Sequence, residues 1–306
     1  MFSRRHPYLF FLLVFSAIIA GSSVVLSLLS LASKVHSEIG FGEKVGVIEL
    51  NGVIADSRQI LEQIKDFRDN NSVKAIVIRI DSPGGTVGAS QEIYREIRKT
   101  IEVKSVIASL GTIAASGGYY IAAAADGIIA NPGTITGSIG VILGYTNFEA
   151  LFEKIGLSPV VIKSGEYKDI ASPVRKMTEI ERKLLQEFSD NVHTQFIEHV
   201  AQGRKIPLTQ VREIADGRIF SGEKAKTLGL VDRLGNLEDA TEWAGRLGGI
   251  KGDISTIYPP EEKLPFMKYL VDMSADQLRE IVARMGMSMI TGGITGGYVY
   301  HPAANP

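Results

Sequence analysis

Two positions in this chain have the residue types and surroundings for acyl chemistry. Ser116 sits in Gly111-Thr-Ile-Ala-Ala-Ser116-Gly-Gly-Tyr119, and Lys168 lies 52 positions further on, in Gly165-Glu-Tyr-Lys168-Asp. A serine hydroxyl is a weak nucleophile and needs a base. A serine that follows small residues and opens a helix is well placed, because the first turn has bare N–H groups and the positive end of the helix dipole. The N–H of Gly117 is one candidate oxyanion donor. A second glycine turn upstream, Asp81-Ser-Pro-Gly-Gly85, offers another at Gly85, since sites in open α/β sheets gather at the carboxyl ends of strands. Donors of this kind contribute about 3–4 kcal/mol each to transition-state stabilisation. By itself a serine before two glycines reads far more readily as a tight turn or a helix-packing residue. The Asp81–Gly85 motif upstream is what strengthens the chemical reading.

The base is the open question. The five histidines are His6, His36, His193, His199 and His301, and none follows a strand, where a triad member is expected. His193 and His199, six apart on one helix, share no face for a metal pair and read as surface or face-edge positions. The chain has no cysteine, which excludes a thiolate nucleophile, disulfides and Cys-ligated zinc. Lysine is the remaining alternative, provided burial lowers its pKa from about 10.4 toward neutrality. Lys168, in a polar loop ahead of Ser172-Pro173, is the leading candidate; Lys163 competes with it, and spacing alone does not choose between them.

The surrounding elements follow an alternating order. Val45–Leu50 reads as a strand, Ser57 as the cap of a helix with Ile60, Leu61, Ile64 and Phe67 at helical spacing, and Val73–Ile80 as a buried parallel strand. Asp81–Gly85 turns the chain. Residues 90–100 form a helix, Lys104–Leu110 a strand, Ala114–Ala125 a buried helix and Ile128–Ala130 a short strand. Asn147 caps a helix reaching Ile155, and Val160–Ile162 is a strand leading into the Lys168 loop. Thr178 opens a long amphipathic helix to about Gln202 with Leu184, Leu185, Phe188, Val192 and Phe196 on one face. Ser221 caps a short helix that ends in a glycine, and a further helix spans Leu237–Leu247. This order predicts an α/β fold with a largely parallel sheet and right-handed crossovers. After Gly249 the character changes: Pro259-Pro260 breaks the chain, Ser274 opens an amphipathic helix, and a glycine-rich tail follows.

Composition bounds the rest. The chain has 306 residues, of which 45% are apolar and 22% charged, with a net charge of −1. That is globular, and it gives no reason to expect nucleic acid as a partner. Arg4, Arg5 and His6 precede a run from Tyr8 to Ser33 that contains no charged residue. An apolar stretch of about 20 residues spans a bilayer as a helix, and the basic flank stays in the cytoplasm. The run exceeds the ~7–15 residues of a signal-peptide core, so an uncleaved anchor is expected rather than a leader cut near Ser30-Leu-Ala32. The domains expected are an anchor at 1–33, a catalytic domain at 34–250 and an extension or tail at 251–306.

Four motifs in order, Asp81-Ser-Pro-Gly-Gly85, Ala114-Ala-Ser116-Gly-Gly-Tyr-Tyr120, Gly133-Thr-Ile-Thr-Gly-Ser138-Ile-Gly140 and Gly165-Glu-Tyr-Lys168, resemble the signal peptide peptidase A family. These are membrane-anchored bacterial Ser/Lys proteases of the Clp-protease/crotonase superfamily, and the resemblance covers roughly residues 44–250. It implies a Clp/crotonase-like sheet with crossover helices behind one N-terminal transmembrane helix. It implies Ser116 as nucleophile, Lys168 as general base, Ser138 as the hydroxyl that orients the lysine, and Gly85 and Gly117 as oxyanion donors. The edges at Thr86-Val87 and Ile139-Gly140 would hold the substrate as an added strand. No cofactor and no metal are implied. The short form of the family forms octameric rings in which the lysine of one subunit serves the serine of its neighbour, so the dyad here would be shared between chains. The implied function is degradation of remnant signal peptides by a single-pass protein of the cytoplasmic membrane, with its catalytic domain on the outer side. The alternatives are a membrane protease that cleaves stomatin-type partners, a crotonase-like acyl-CoA enzyme, and a non-catalytic envelope scaffold. A carboxyl tail lying in the active-site cleft is a further expectation.

Overall fold

The computed structural model describes residues 42–260 and the strand Thr295–Val299, with Tyr8, Phe15, Ser16 and Gly21 as isolated positions. The expected membrane span and the helix opened by Ser274 lie outside the described residues. Among the described residues no helix is long and apolar enough to cross a membrane. The chain divides into two compact units at Gly42/Glu43, and the second carries everything that follows.

That unit is built on parallel strands: β1 (Lys44–Asn51), β2 (Val73–Ser82), β4 (Ser105–Ala115) and β5 (Gly127–Ala130). The sheet order is β10-β1-β2-β4-β5-β9, with β9 at Arg233–Leu234 and β10 at Ser255–Ile257. Strand sequences are nearly continuous apolar runs because both faces are covered. Successive side chains point to opposite faces. Val45, Val47, Ala75 and Val77 pack on one side, under Ala240 and Ala244 of helix α8 (Leu237–Leu247). Ile48, Leu50, Ile76, Ile78 and Ile80 pack on the other, under helices α1 (Arg58–Asp69), α2 (Val87–Thr100), α3 (Gly117–Ala122) and the long α5 (Glu179–Arg204). Each such buried aliphatic side chain contributes about 1.5–3 kcal/mol.

The mixed α/β architecture with a parallel central sheet agrees with the expectation, and several element limits move. β4 runs through Gly111–Ala115 to Ala115, because it finds a second partner there. β6 (Ile135–Gly137) pairs parallel with Ile113–Ala115, and β8 (Ile219–Ser221) pairs antiparallel with β6. The expected helix over Ala114–Ala125 is therefore only the six residues of α3. Asp81 and Ser82 continue β2, and a register shift there lets the Asp81 carboxylate accept the N–H groups of Thr112 and Ile113 at 3.3 and 3.2 Å. Val160–Ile162 forms no strand and pairs with no strand among the described residues; Val160 is 86% and Ile162 97% exposed. α4 (Glu149–Lys154) has Phe148 rather than Asn147 at its cap position, although Asn147 Oδ1 accepts the Glu149 N–H at 2.7 Å. Thr178 does open α5, through a reciprocal capping box with Glu181. Only the second half of the expected α5 face is buried: Val192 and Phe196 lie in the core, whereas Phe188 is 55% exposed. The remaining short helices are α6 (Leu208–Ile214) and α7 (Gly222–Thr227), the latter capped by Ser221 Oγ.

A second, antiparallel sheet has the order β3-β11-β7, with β3 at Gly84–Thr86, β7 at Ile142–Gly144 and β11 at Thr295–Val299. Its middle strand comes from the end of the chain. Tyr298 stands opposite Gly85, and Gly297 stands opposite both Thr86 and Ile142.

Candidate active site

Ser116 occupies the one-residue elbow between β4 and α3. Its φ is 53° and its ψ −118°, a region that L side chains rarely enter. The conformation is held from both sides, since the Ser116 N–H donates to Gly137 O at 2.8 Å and its carbonyl accepts the Tyr120 N–H at 2.8 Å. Thr136 Oγ1 donates to Ala114 O and Thr134 Oγ1 to Gly111 O, each at 2.7 Å, which fixes the last turn of β4. Among the described residues the Ser116 hydroxyl makes no side-chain hydrogen bond. As the first three residues of α3, Gly117, Gly118 and Tyr119 have N–H groups without intrahelical acceptors. The helix has a single turn or so, and these N–H groups rather than a long macrodipole supply its positive end.

Gly85 is forced to be glycine by close approach. A Cβ there would lie 2.1 Å from Ile54 O. Ile54 N donates to Gly84 O at 3.0 Å and Thr86 N donates to Ile54 O at 2.7 Å. Backbone groups alternate sides along a strand, so the Gly85 N–H points away from Ile54, toward the edge that carries β11. Gly118 also passes close under β2, with its would-be Cβ 2.9 Å from Ser82 O.

Ser138 immediately follows β6, also with positive φ, 51°, and its N–H donates to Arg218 O at 2.9 Å. The Ser116–Gly137 bond thus joins the segments that carry the two serines. The four residues implied as substrate-binding fall in different environments. Thr86 ends β3 at the edge, and Val87 is the first residue of α2. Ile139 is fully buried, and Gly140 lines a cleft of about 520 Å³ together with Ser138, Ile142, Asp190, His193 and Asp216. The paired strands themselves are Gly84–Thr86, which includes Thr86 but not Val87, and Ile142–Gly144, which begins two residues after Gly140. A larger cavity, about 610 Å³, opens on the β1–α1 connection at Glu49, Asn51, Val53 and Arg58, and its lining includes none of the four motifs.

Lys168 is exposed, in a turn where its N–H donates to Gly165 O at 3.3 Å. Among the described residues no hydrogen bond connects it to Ser116 or Ser138. Its neighbour Asp169 takes Lys163 Nζ and Arg175 Nε, and these cations hold its carboxyl well below the usual carboxylate range. Lys163 is thereby committed to Asp169 and the Glu166 carbonyl.

Two histidine environments were not readable from spacing. His193 faces the Ile139 carbonyl at 3.2 Å, beside Ser138, where its Nε2 must carry the proton to donate. His199 is half-buried, with its Nδ1 against the Tyr120 hydroxyl and its ring stacked on Tyr94, and burial lowers its pKa from 6.5. The only available signal was their position on the second, buried half of α5. Among the described residues no three His, Asp or Glu side chains are grouped as a metal site requires.

The sequence profile of Peptidase family S49 matches residues 98–251, and that of Clp protease matches residues 44–133. A provisionally named protease of Synechocystis sp. is 44% identical over 248 residues, covering 80% of this chain and 89% of that protein. The chain belongs to peptidase family S49. A provisionally named signal peptide peptidase SppA of Enterococcus faecium is 38% identical over 214 residues, 65% of this chain and 62% of that protein. The chloroplastic serine protease SPPA of Arabidopsis thaliana is 34% identical over 248 residues; the match takes 80% of this chain but 35% of that longer protein. The S49 chain is accordingly a serine peptidase with peptides as its substrate class. The resemblance drawn from the four motifs and the family agree.

Proposed function

We propose that this S49 peptidase is a membrane-anchored endopeptidase with a Ser116/Lys168 dyad that degrades remnant signal peptides. Residues 1–33 form the anchor in the cytoplasmic membrane, 34–250 the catalytic domain on its outer side, and 251–306 the carboxyl extension. Ser116 Oγ attacks the scissile carbonyl and gives its proton to Lys168 Nζ. The oxyanion is met by the N–H groups of Gly85 and Gly117. Lys168 returns the proton to the departing amine, and water repeats the sequence on the acyl-enzyme. Ser138 orients the lysine. Small and apolar side chains near the scissile bond are the expected preference.

The observation that carries this reading is the cleft between β3 and β7. It accepts an extended segment with antiparallel pairing on both sides, as β11 does, and Gly85 presents its N–H to that segment. Peptide recognition by strand addition works in this way. Thr86, Val87, Ile139 and Gly140 are the substrate-binding positions of this reading. β11 also supports occupation of the cleft by the chain's own tail, so that removal of residues 295–306 raises kcat/KM on peptides.

Lys168 serves Ser116 across a subunit boundary in a homo-oligomeric ring of eight. This agrees with the absence of a Lys168–Ser116 bond among the described residues and with the apolar exposure of Ile155, Val160, Ile162 and Phe188, surfaces that a partner copy would cover. Ser116→Ala tests the reading: it should abolish cleavage of signal-sequence peptides while leaving assembly unchanged, and retained turnover would contradict it.

A further inference from the structure

We propose that Arg175 is the positioning residue for Lys168, clamping the lysine-bearing turn to the capped start of α5. This rests on the reading of Lys168 as general base. A guanidinium has five N–H donors in a rigid plane, and in this structure five contacts use them. Nε donates to Asp169 Oδ2 at 2.9 Å, and Nη2 to the Asp169 carbonyl at 3.1 Å. Nη1 donates to Glu181 Oε2 at 2.9 Å and to the Lys176 carbonyl at 3.0 Å, and Nη2 also bonds Glu181 Oε1. One side of the fork therefore grips the residue next to Lys168, by side chain and backbone together. The other grips a buried carboxylate that simultaneously accepts the Thr178 N–H at 2.9 Å, as the third residue of the α5 capping box.

The turn needs such an anchor. Lys168, Glu166 and Ser164 are exposed, Gly165 has φ +97°, and Ala171 is held at φ +60°. The turn's internal bonds, Ile170 N to Tyr167 O and Ser172 N to Asp169 O, shape it without attaching it to the core. α5 is attached, through Val192, Phe196 and Val200. Asp169, Arg175 and Glu181 thus form a chain of contacts from the turn that carries Lys168 to a rigid element, beside the buried Ala171 and the Phe148 N–H bond to Pro173 O. A base displaced by about 1 Å loses on the order of 10²-fold in rate. A lysine at 175 presents one ammonium and cannot span both carboxylates and two carbonyls.

The test uses the full-length assembled enzyme. Arg175→Ala and Arg175→Lys should each lower kcat on a signal-sequence peptide by roughly 10- to 100-fold, with KM within about threefold. In a Lys168→Ala background, Arg175→Ala should change the rate of Ser116 labelling by a fluorophosphonate probe by less than about twofold, because its effect runs through the lysine. If the Arg175 variants do not fold or assemble, Asp169→Asn keeps the Arg175–Glu181 pair and should still lower kcat about fivefold or more. Unchanged kcat in folded, assembled variants would overturn the proposal. So would an equal slowing of labelling with and without Lys168. Wild-type labelling and turnover in Lys168→Ala alone would instead remove the base reading, and the clamp with it.

Discussion

The Ser116 N–H donates to the Gly137 carbonyl at 2.8 Å, and both Ser116 and the residue after the acceptor, Ser138, sit at positive φ, 53° and 51°. Strain of this kind costs about 1–3 kcal/mol per residue and persists only where neighbours over-determine the backbone. Here they do, because β4, β6 and β8 pair side by side immediately before each serine. Two serines are thereby fixed at the ends of adjacent strands.

Replacing Ser116 by Ala changes the chemistry and little else. The backbone bonds that hold the elbow do not involve Oγ, so the melting transition should move by less than about 1 kcal/mol equivalent. Peptidase activity should fall by roughly four orders of magnitude or more. Calorimetry beside a fluorogenic peptide assay separates the two effects.

Gly85→Ala should damage both fold and site. Its Cβ would meet the Ile54 carbonyl at 2.1 Å, against backbone that cannot swing aside. Overpacking of this type costs about 1–3 kcal/mol, and the displaced N–H should lower kcat by about 10²-fold or more. Denaturant unfolding and steady-state kinetics on the same preparation check both.

Thr178→Ala removes the side-chain acceptor that satisfies the Glu181 N–H at the start of α5. Loss of such a cap costs about 0.5–2 kcal/mol. Urea unfolding should show this as a lower midpoint with an unchanged slope.

His199 should give stability a dependence on mildly acidic pH. Its folded-state pKa is depressed from 6.5, by burial first and by Arg98 second, with Glu198 opposing. The unfolded chain therefore binds a proton that the fold resists, and stability falls as pH drops below about 6.5, until the folded pKa is reached. His199→Gln should flatten this part of the melting-temperature profile. A further loss below about pH 4.5 should remain in that variant, because the Arg175 fork and the Thr178 N–H hold Glu181 down to about 2.

The sheet was legible because burial on both faces writes itself into sequence as nearly continuous apolar runs such as Val73–Ile80, interrupted only by Lys74 and Arg79. The α5 start was legible because Thr178 and Glu181 stand three apart. What depended on distant partners was not. Nothing local tells that Gly111–Ala115 extends β4, since the reason is β6, twenty residues on. Val160–Ile162 has strand composition, yet no edge among the described residues receives it. The apolar face of α5 is continuous in sequence, but only its second half is buried in the core. The serine elbow was visible in its glycines, whereas Arg175 carried no signal, because its meaning lies in two carboxylates that the turn brings to one guanidinium.

The shared dyad is tested most directly by mixing Ser116→Ala chains with Lys168→Ala chains and letting them co-assemble. Each variant alone should be inactive. Mixed assemblies should regain peptide cleavage, where an intact Ser116 meets a neighbour's intact Lys168. Mixed assemblies that form yet stay inactive would contradict a dyad divided between subunits, and substantial activity in Lys168→Ala alone would contradict the lysine as base.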